Sequence, residues 1–328
     1  MVFNSENVRL WSMIGPSGTF GMAAHELAEH DPDFVVLTAD LCSFSGLNKV
    51  WSIFPDRVIN VGIAEQNMLG IAAGMANEGM RVWATSYASF ASTRALDQVK
   101  VNMGYMKLPV HLVGFSSGYS IASLGATHMS VEDIAIMRSI PNIVVLSPAD
   151  CTELMKAILV ASTLDSPIYI RAFGTMRIPV VYKEDYAFQI GKAVKLRDGN
   201  DVSIIATGSM VYIALQSAEK LSRMGISVEV LDMHTIKPID TEAILNGESK
   251  KIIVTLEEHN RLGGLGAAVA EILASHRGSP PLLILGAGDF YPHANASQNL
   301  LKDNGLSVDG VVGNIRDFLE TGIKYQGR

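Results

Sequence analysis

Short apolar runs rich in β-branched residues alternate with longer amphipathic stretches along most of this chain, and this alternation limits the folds open to it. Six runs form a first cycle: FVVLTAD (34–40), RVINVG (57–62), MRVWATS (80–86), LPVHLVGF (108–115), NIVVLSP (142–148) and SPIYIRAF (166–173). Runs that are apolar on both faces are typical of buried parallel strands. Helices are predicted between them at 19–30, 65–77, 92–105, 131–138 and 150–164. The pattern predicts an α/β fold with a mainly parallel sheet.

A second, shorter cycle follows a segment rich in proline and acidic residues around 179–186. Its predicted strands are 201–209, 226–233, 250–258 and 281–288, with a helix running to Met224 and a glycine-rich helix start within 263–276. We therefore expect two three-layer α/β/α domains, residues 1–185 and residues 186–328, joined by a linker.

Charge and composition exclude several classes of function. Lys and Arg number 26 against 33 Asp and Glu, a net charge of −7, so binding to nucleic acid or to an anionic membrane is not expected. Cys42 and Cys151 are far apart, which argues against a disulfide framework or a zinc cluster. The start of the chain lacks the features of a signal peptide, and no apolar run is long enough for a membrane span. A soluble, cytoplasmic protein is expected.

The chain is also poor in charge for a soluble protein. Hydrophobic residues make up 48% of it and charged residues only 18%, against about 25% charged in ordinary soluble domains. This imbalance predicts that a partner buries a large part of the surface.

The segment INVGIAEQNMLGIAAGMANEG (59–79) carries the most informative carboxyl group. Gly62 ends a predicted strand, Glu65 opens a predicted helix, and the small residues that follow let another backbone approach closely. Glu65 can simply complement the positive end of the helix dipole, and spacing alone favours that interpretation. The functional alternative is that a partly desolvated carboxylate at a sheet edge exchanges a proton with a bound heterocycle.

Other candidate groups are compatible with ordinary structural roles. The glycine-rich stretches 15–21 and 263–268 match neither a P-loop nor a dinucleotide fingerprint, so close packing or weak anion capture is expected of them. His128 lies just before a predicted helix, where a histidine bonded to local backbone is the ordinary case. Tyr87 and Phe90 flank a strand-to-helix turn, where aromatic side chains usually join the core but can stack on a flat ring.

Several of these segments together resemble the C-terminal half of transketolase, and more closely the separately encoded C-terminal subunit of split transketolases. The segments are INVGIAEQNMLGIAAGMA, TSYASFASTRALDQVK, GATHMSVEDIAIMRSIPNIVVLSPAD, SPIYIRAF, ATGSMVYIA, VEVLDMHTIKPID and VTLEEHNRLGGLGAAVAE. They occur in the family's order from about residue 19 to about residue 305, and 1-deoxyxylulose-5-phosphate synthase is a relative that shares them. The resemblance implies a pyrimidine-binding domain followed by a transketolase C-terminal domain.

By this resemblance, five residues of the first domain bind thiamine diphosphate: Glu65, Tyr87, Phe90, Asp40 and Ile63. Glu65 matches the glutamate that bonds to N1′ of the aminopyrimidine and favours the imino tautomer, whose nitrogen removes the C2 proton of the thiazolium. Tyr87 and Phe90 match aromatic residues that pack on the pyrimidine ring. Asp40 matches an aspartate near the cofactor and the subunit interface.

The resemblance also implies substrate contacts and shows departures from the family. His128, the second implied catalytic residue, matches a channel histidine that contacts the reacting oxygen of the donor, and Arg171 matches an arginine that grips substrate phosphate. Ser116 stands about where another channel histidine is usual, Ser17 where an arginine is usual, and Leu124 where a substrate-selecting aspartate is usual. Because an apolar Leu124 cannot accept a hydrogen bond from a hydroxyl, an atypical sugar is expected.

The implied assembly has two kinds of chain. This sequence lacks GDG with a downstream Asn, the arrangement that holds magnesium pyrophosphate in thiamine enzymes, so an N-terminal partner subunit is expected to supply it with Mg²⁺. The implied assembly is a 2+2 heterotetramer, inactive without the partner. Two alternatives stay open: the β chain of a 2-oxo-acid dehydrogenase, against which the segment GATHMSVEDIA argues, and a non-catalytic scaffold subunit with a decayed pocket.

Overall fold

The structure, a computed structural model, describes residues 1–322 and divides their strands between two sheets. The larger sheet has the order β10-β5-β6-β4-β3-β1-β2. Its strands are β1 Phe34–Thr38, β2 Val58–Asn60, β3 Arg81–Tyr87, β4 Val110–Ser117, β5 Val144–Leu146, β6 Ile168–Phe173 and β10 Thr235–Lys237. All neighbours are parallel except β10, which runs antiparallel to β5.

Helices cover the larger sheet. They are α1 Ser5–His30, α2 Asn48–Ile53, α3 Glu65–Asn77, α4 Leu96–Gln98, α5 Asp133–Ser139 and α6 Cys151–Ala161. The buried side chains of α3 include Met68, Leu69, Ala72 and Ala76, a three- and four-residue spacing that turns one face of this helix to the core. The continuous helix predicted at 92–105 is wrong, because π-helical segments at Phe90–Arg94 and Val99–Tyr105 flank α4.

The first helix begins earlier than predicted and is kinked. Gly15 has a φ of 73° inside α1, and Pro16 follows it, so the stretch 15–21 lies within a helix instead of before one. A Cβ on Gly15 would lie 2.0 Å from the Thr175 carbonyl oxygen, and one on Gly21 would lie 2.1 Å from the Gly46 carbonyl oxygen. Close backbone packing therefore explains these glycines.

The second sheet has the order β12-β11-β8-β9-β7. Its elements are β7 Val194–Arg197, β8 Val202–Ala206, α7 Met210–Ser222, β9 Val228–Asp232, α8 Thr241–Leu245, β11 Ile252–Asn260, α9 Leu265–Ala274, β12 Leu282–Ala287, α10 Ser297–Asp303 and α11 Val308–Thr321. Its strands are parallel except β7, which pairs antiparallel with β9. The prediction of two mainly parallel α/β sheets with helices is confirmed.

The two sheets are not separated cleanly in sequence. Strand β10 belongs to the second half of the chain but pairs with β5 of the first sheet, Thr235 opposite Leu146. The linker predicted around 179–186 has no helix or strand. The proposed boundary at residue 185 stays a prediction, with β10 as a segment that crosses back over it.

Candidate active site

The candidate site lies at the carboxyl ends of the central strands of the larger sheet. Strand order reverses between β1 and β3, and ligands of open α/β sheets bind at the carboxyl edge at such a point. Asp40 follows β1, Glu65 opens the helix after β2, and Tyr87 ends β3. The fold therefore brings together residues that lie far apart in sequence.

Glu65 is almost wholly buried, with 2% of its surface exposed. The Ser86 hydroxyl donates to its Oε1 at 3.1 Å, and the Arg94 guanidinium donates to its Oε2 at 2.8 Å. The N-cap residue of α3, Ala64, makes no side-chain cap. The Glu65 carboxylate thus bonds to β3 and to the π-helical segment that follows it. These contacts go beyond an interaction with the dipole of its own helix.

Arg94 and Ser86 are site residues that the sequence interpretation missed. Arg94 is the last residue of the π-helical segment Phe90–Arg94, and its guanidinium lies 4.0 Å from the centroid of the Phe90 ring. This is a cation–π contact on the same ring that faces the site. A signal was present, since Arg94 lies four residues after Phe90, a spacing that puts two side chains on one face wherever the chain is helical.

Three rings meet edge to face beside Glu65. The centroids of Tyr87 and Phe90 are 5.8 Å apart, and the His128 ring lies 5.6 Å from Tyr87 and 5.2 Å from Phe90. Partial burial raises the pKa of Tyr87, so its phenol stays neutral. The Thr127 hydroxyl is 3.0 Å from His128 Nδ1. The structure therefore joins Tyr87, Phe90 and His128 in one cluster.

Asp40 and Ile63 lie on the open side of this edge. Asp40 is exposed and has a φ of 59°, held by Asn60, whose side-chain oxygen accepts from the Asp40 amide at 3.0 Å. The same Asn60 oxygen accepts from the Gly62 amide, also at 3.0 Å. Ile63 follows with 75% of its surface exposed. These contacts fix the chain beside Glu65, and they leave Ile63 free to meet a ligand or another chain.

Arg171 has a different place from the one predicted. It is 1% exposed, and its Nε donates to Asp133 Oδ2 at 2.9 Å. Its NH2 group donates to the carbonyl oxygens of Ser130 at 3.2 Å and Glu258 at 2.7 Å, and the Tyr169 hydroxyl completes the Asp133 shell at 2.8 Å. Arg171 is thus enclosed, and its Nε and NH2 donors are engaged within the protein, so the structure does not support the predicted grip on a substrate phosphate, which stays a prediction.

The departures from the family pattern fall in three environments. Ser116 is buried at the end of β4, which does not support the predicted substrate contact. Leu124 is 55% exposed in a short 3-10 turn of the loop that carries His128. Ser17 lies inside α1, where its carbonyl oxygen would be 2.1 Å from a Cβ on Gly46. Of these three side chains, Leu124 is the exposed one.

The glycine-rich start of α9 does not offer an anion site. The buried Glu257 carboxylate accepts the amides of Leu265 at 2.7 Å and Gly266 at 2.8 Å, and burial raises its pKa to about 7. The chain's own carboxyl group occupies the helix end. Among residues 1–322 no group of three or more His, Cys, Asp or Glu side chains is arranged to hold a metal ion, and none of the helices described there could span a membrane.

Comparison with known proteins identifies the family to which the chain belongs. Residues 14–173 match the sequence model of the transketolase pyrimidine binding domain, and residues 191–311 match that of the transketolase C-terminal domain. A putative transketolase C-terminal section from Methanocaldococcus jannaschii is 40% identical, covering 92% of this chain and 95% of that protein.

Two further relatives carry named activities. A 6-deoxy-6-sulfo-D-fructose transketolase subunit from a Clostridium species is 40% identical over 88% of this chain and 89% of that protein. An apulose-4-phosphate transketolase subunit from Phocaeicola vulgatus is 37% identical over 94% of this chain and 99% of that protein. A split-gene transketolase solved as an inactive beta4 tetramer superposes with a TM-score of 0.86 at 36% identity, over 94% of this chain and 99% of that one.

Proposed function

The chain belongs to the transketolase family, and on that premise we propose that it is the C-terminal subunit of a split enzyme that moves a two-carbon ketol unit from a ketose to an aldose. The alternative of a 2-oxo-acid dehydrogenase β chain is wrong, because both domain models and the relatives are transketolases. The family implies thiamine diphosphate as cofactor.

The observation that carries this proposal is the buried Glu65 carboxylate beside the three rings. An aminopyrimidine needs an acceptor for a ring N–H and flat apolar walls, and Glu65 with Tyr87 and Phe90 has that chemistry. Bound thiamine diphosphate supplies a carbon nucleophile that carries the ketol group. Glu65 would exchange a proton with the pyrimidine nitrogen, Arg94 and Ser86 would hold the carboxylate in place, and His128 would bond to an oxygen of the donor.

The same site is half complete, which supports dependence on another chain. The sequence has no GDG, and the helix end richest in glycine is filled by Glu257. An N-terminal partner would hold the diphosphate and Mg²⁺. Its docking surface would be formed by the exposed apolar side chains of Ile63, Val101, Tyr105 and Met106. Val101 and Tyr105 belong to the π-helical segment Val99–Tyr105, and Met106 follows it. This segment contacts α3, the helix that Glu65 opens, because the Asn102 side chain donates to the Leu69 carbonyl.

We also propose that the donor or acceptor is an atypical sugar. Two relatives named above are a 6-deoxy-6-sulfo-D-fructose transketolase subunit and an apulose-4-phosphate transketolase subunit, and in this chain Leu124 replaces a hydroxyl acceptor on an exposed turn. Turnover of xylulose 5-phosphate with ribose 5-phosphate at the rate of an ordinary transketolase would contradict this proposal.

Reconstitution with the N-terminal partner tests the function. The mixed chains should show thiamine-dependent ketol transfer, and size measurement should give a 2+2 assembly. Glu65→Gln should abolish turnover, whereas Glu78→Gln, an exposed carboxylate at the other end of α3, should leave it unchanged. An assembled wild type that binds no cofactor and turns nothing over would instead establish a scaffold subunit.

A further inference from the structure

The loop that carries His128 is closed at its base. Gly118 and Ser130 exchange both backbone hydrogen bonds, at 2.7 and 3.0 Å, so the residues between them form a compact loop with adjoining ends. The tip holds Leu124 and His128. What fixes the base of this loop therefore also fixes the His128 ring.

The polar contact beneath the base comes from the C-terminal domain. Glu258 on β11 accepts the Tyr119 amide on Oε1 at 2.7 Å, and the Ser209 hydroxyl donates to its Oε2. A Cβ on Gly118 would lie 2.6 Å from the Glu258 carboxyl carbon, and Gly118 has a φ of 63°, so glycine is required for this approach. Glu258 is thus fitted against the first turn of the loop.

Apolar and backbone contacts from the same domain also hold the loop in place. The loop side chains Tyr119, Ala122, Met129 and Val131 are buried in one cluster with Ala287 of β12 and Leu300 of α10. The Ser297 hydroxyl donates to the Tyr119 carbonyl at 2.6 Å, and the Asn260 amide donates to the Val131 carbonyl at 2.6 Å. The buried side of the loop therefore packs against the second domain, whereas His128 contacts Tyr87 and Phe90 of the first domain.

We propose that the C-terminal domain positions the catalytic loop of residues 118–131, and that Glu258 is the positioning residue for His128. Glu258 makes none of the described ring contacts of Tyr87, Phe90 and His128, and it acts through the Tyr119 backbone. A hydrogen bond from an amide to a buried carboxylate is stronger than one between neutral groups, and burial makes the glutamate sensitive to the loss of either donor. The role for His128 rests on the proposed function.

Hydrogen exchange of the full chain tests whether Glu258 holds the loop in place, and it needs no measurement of turnover. Glu258→Gln presents an amide nitrogen to one of its two donors, so exchange across residues 118–131 should rise on the order of tenfold or more. Glu257→Gln is the matched control, since Glu257 is as buried but accepts its hydrogen bonds from within its own domain, from the amides of Leu265 and Gly266. It should leave exchange in the loop unchanged. Equal exchange in both variants would overturn the proposal.

A milder variant keeps the test informative if Glu258→Gln folds poorly. Ser297→Ala removes one hydrogen bond to the Tyr119 carbonyl from a half-buried position, and loop exchange should rise roughly threefold with the rest of the chain unaltered. An unchanged exchange rate in the loop would contradict the proposal that the C-terminal domain holds it in place.

The assembled enzyme gives a second measurement. Glu258→Gln should lower kcat/KM for the ketose on the order of tenfold while thiamine diphosphate affinity stays within about twofold, because Glu65, Tyr87 and Phe90 lie outside the loop 118–131. A matched loss of cofactor affinity would mean general unfolding and overturn the role. If the wild-type assembly shows no ketol transfer, the proposed function fails, whereas the exchange result still decides whether the loop is seated by Glu258.

Discussion

Replacing Arg171 distinguishes a structural role from a phosphate-binding one. Arg171→Met removes the cation from a pair in which both partners are enclosed, Arg171 at 1% and Asp133 at 0% exposure. Breaking a buried ion pair on one side costs about 3–5 kcal/mol, because the remaining charge has no partner in a poorly hydrated site. For a chain of this size that is roughly 4–7 °C in melting temperature.

The assay is urea and thermal unfolding of the chain without substrate. The control is Arg223→Met, since Arg223 pairs with Glu219 at the surface and both are mostly exposed, so its loss should change stability by about 0.5 kcal/mol or less. The double variant Arg171→Met with Asp133→Asn should be more stable than the sum of the single losses predicts. Unchanged stability in Arg171→Met, with a raised KM for phosphorylated sugars alone, would refute this reasoning.

Two further predictions concern stability. Burial raises the pKa of Asp232 from 3.8 to about 7, so the folded chain binds this proton more tightly than the unfolded chain, and its contribution to stability falls as pH rises across that window. Asp232→Asn removes the ionisation, so urea unfolding should show its stability relative to wild type increasing between about pH 4 and about pH 7, and a constant difference would contradict the assignment. On α3, Gly74 has open space where a Cβ would stand, so Gly74→Ala should stabilise the isolated chain by about 0.5–1 kcal/mol in urea. Gly21→Ala should instead destabilise it, since the new Cβ would lie 2.1 Å from the Gly46 carbonyl oxygen, and equal effects of the two changes would be inconsistent with the packing described.

Much of the fold could be predicted from the sequence because parallel strands are buried on both faces and read as apolar runs. The helix predicted at 65–77 is observed as Glu65–Asn77, and the six runs of the first cycle each hold a strand. Strands β7 and β10 were missed, since each has only three or four residues, lies at a sheet edge and includes Lys or Arg. Such short edge strands leave no periodicity to detect.

The site was predicted less completely, for a reason visible in its contacts. Glu65 and the aromatic residues lie in segments with a recognisable order, whereas their partners are set by packing between elements. Arg94 reaches Glu65 across 29 positions, and Arg171 meets the Glu258 carbonyl across 87. A local sequence pattern cannot show which residues this far apart in the chain are in contact. The resemblance supplied residue identities, and the structure showed which of them are enclosed.

The proposed function requires this chain to hold half of a thiamine diphosphate site. Calorimetric titration of thiamine diphosphate with Mg²⁺ into this chain alone, into the N-terminal partner alone and into the mixture tests it most directly. We predict binding at full affinity only in the mixture, with that binding lost in a mixture containing Glu65→Gln. Equal affinity for this chain alone, or unchanged binding in the Glu65→Gln mixture, would contradict the account.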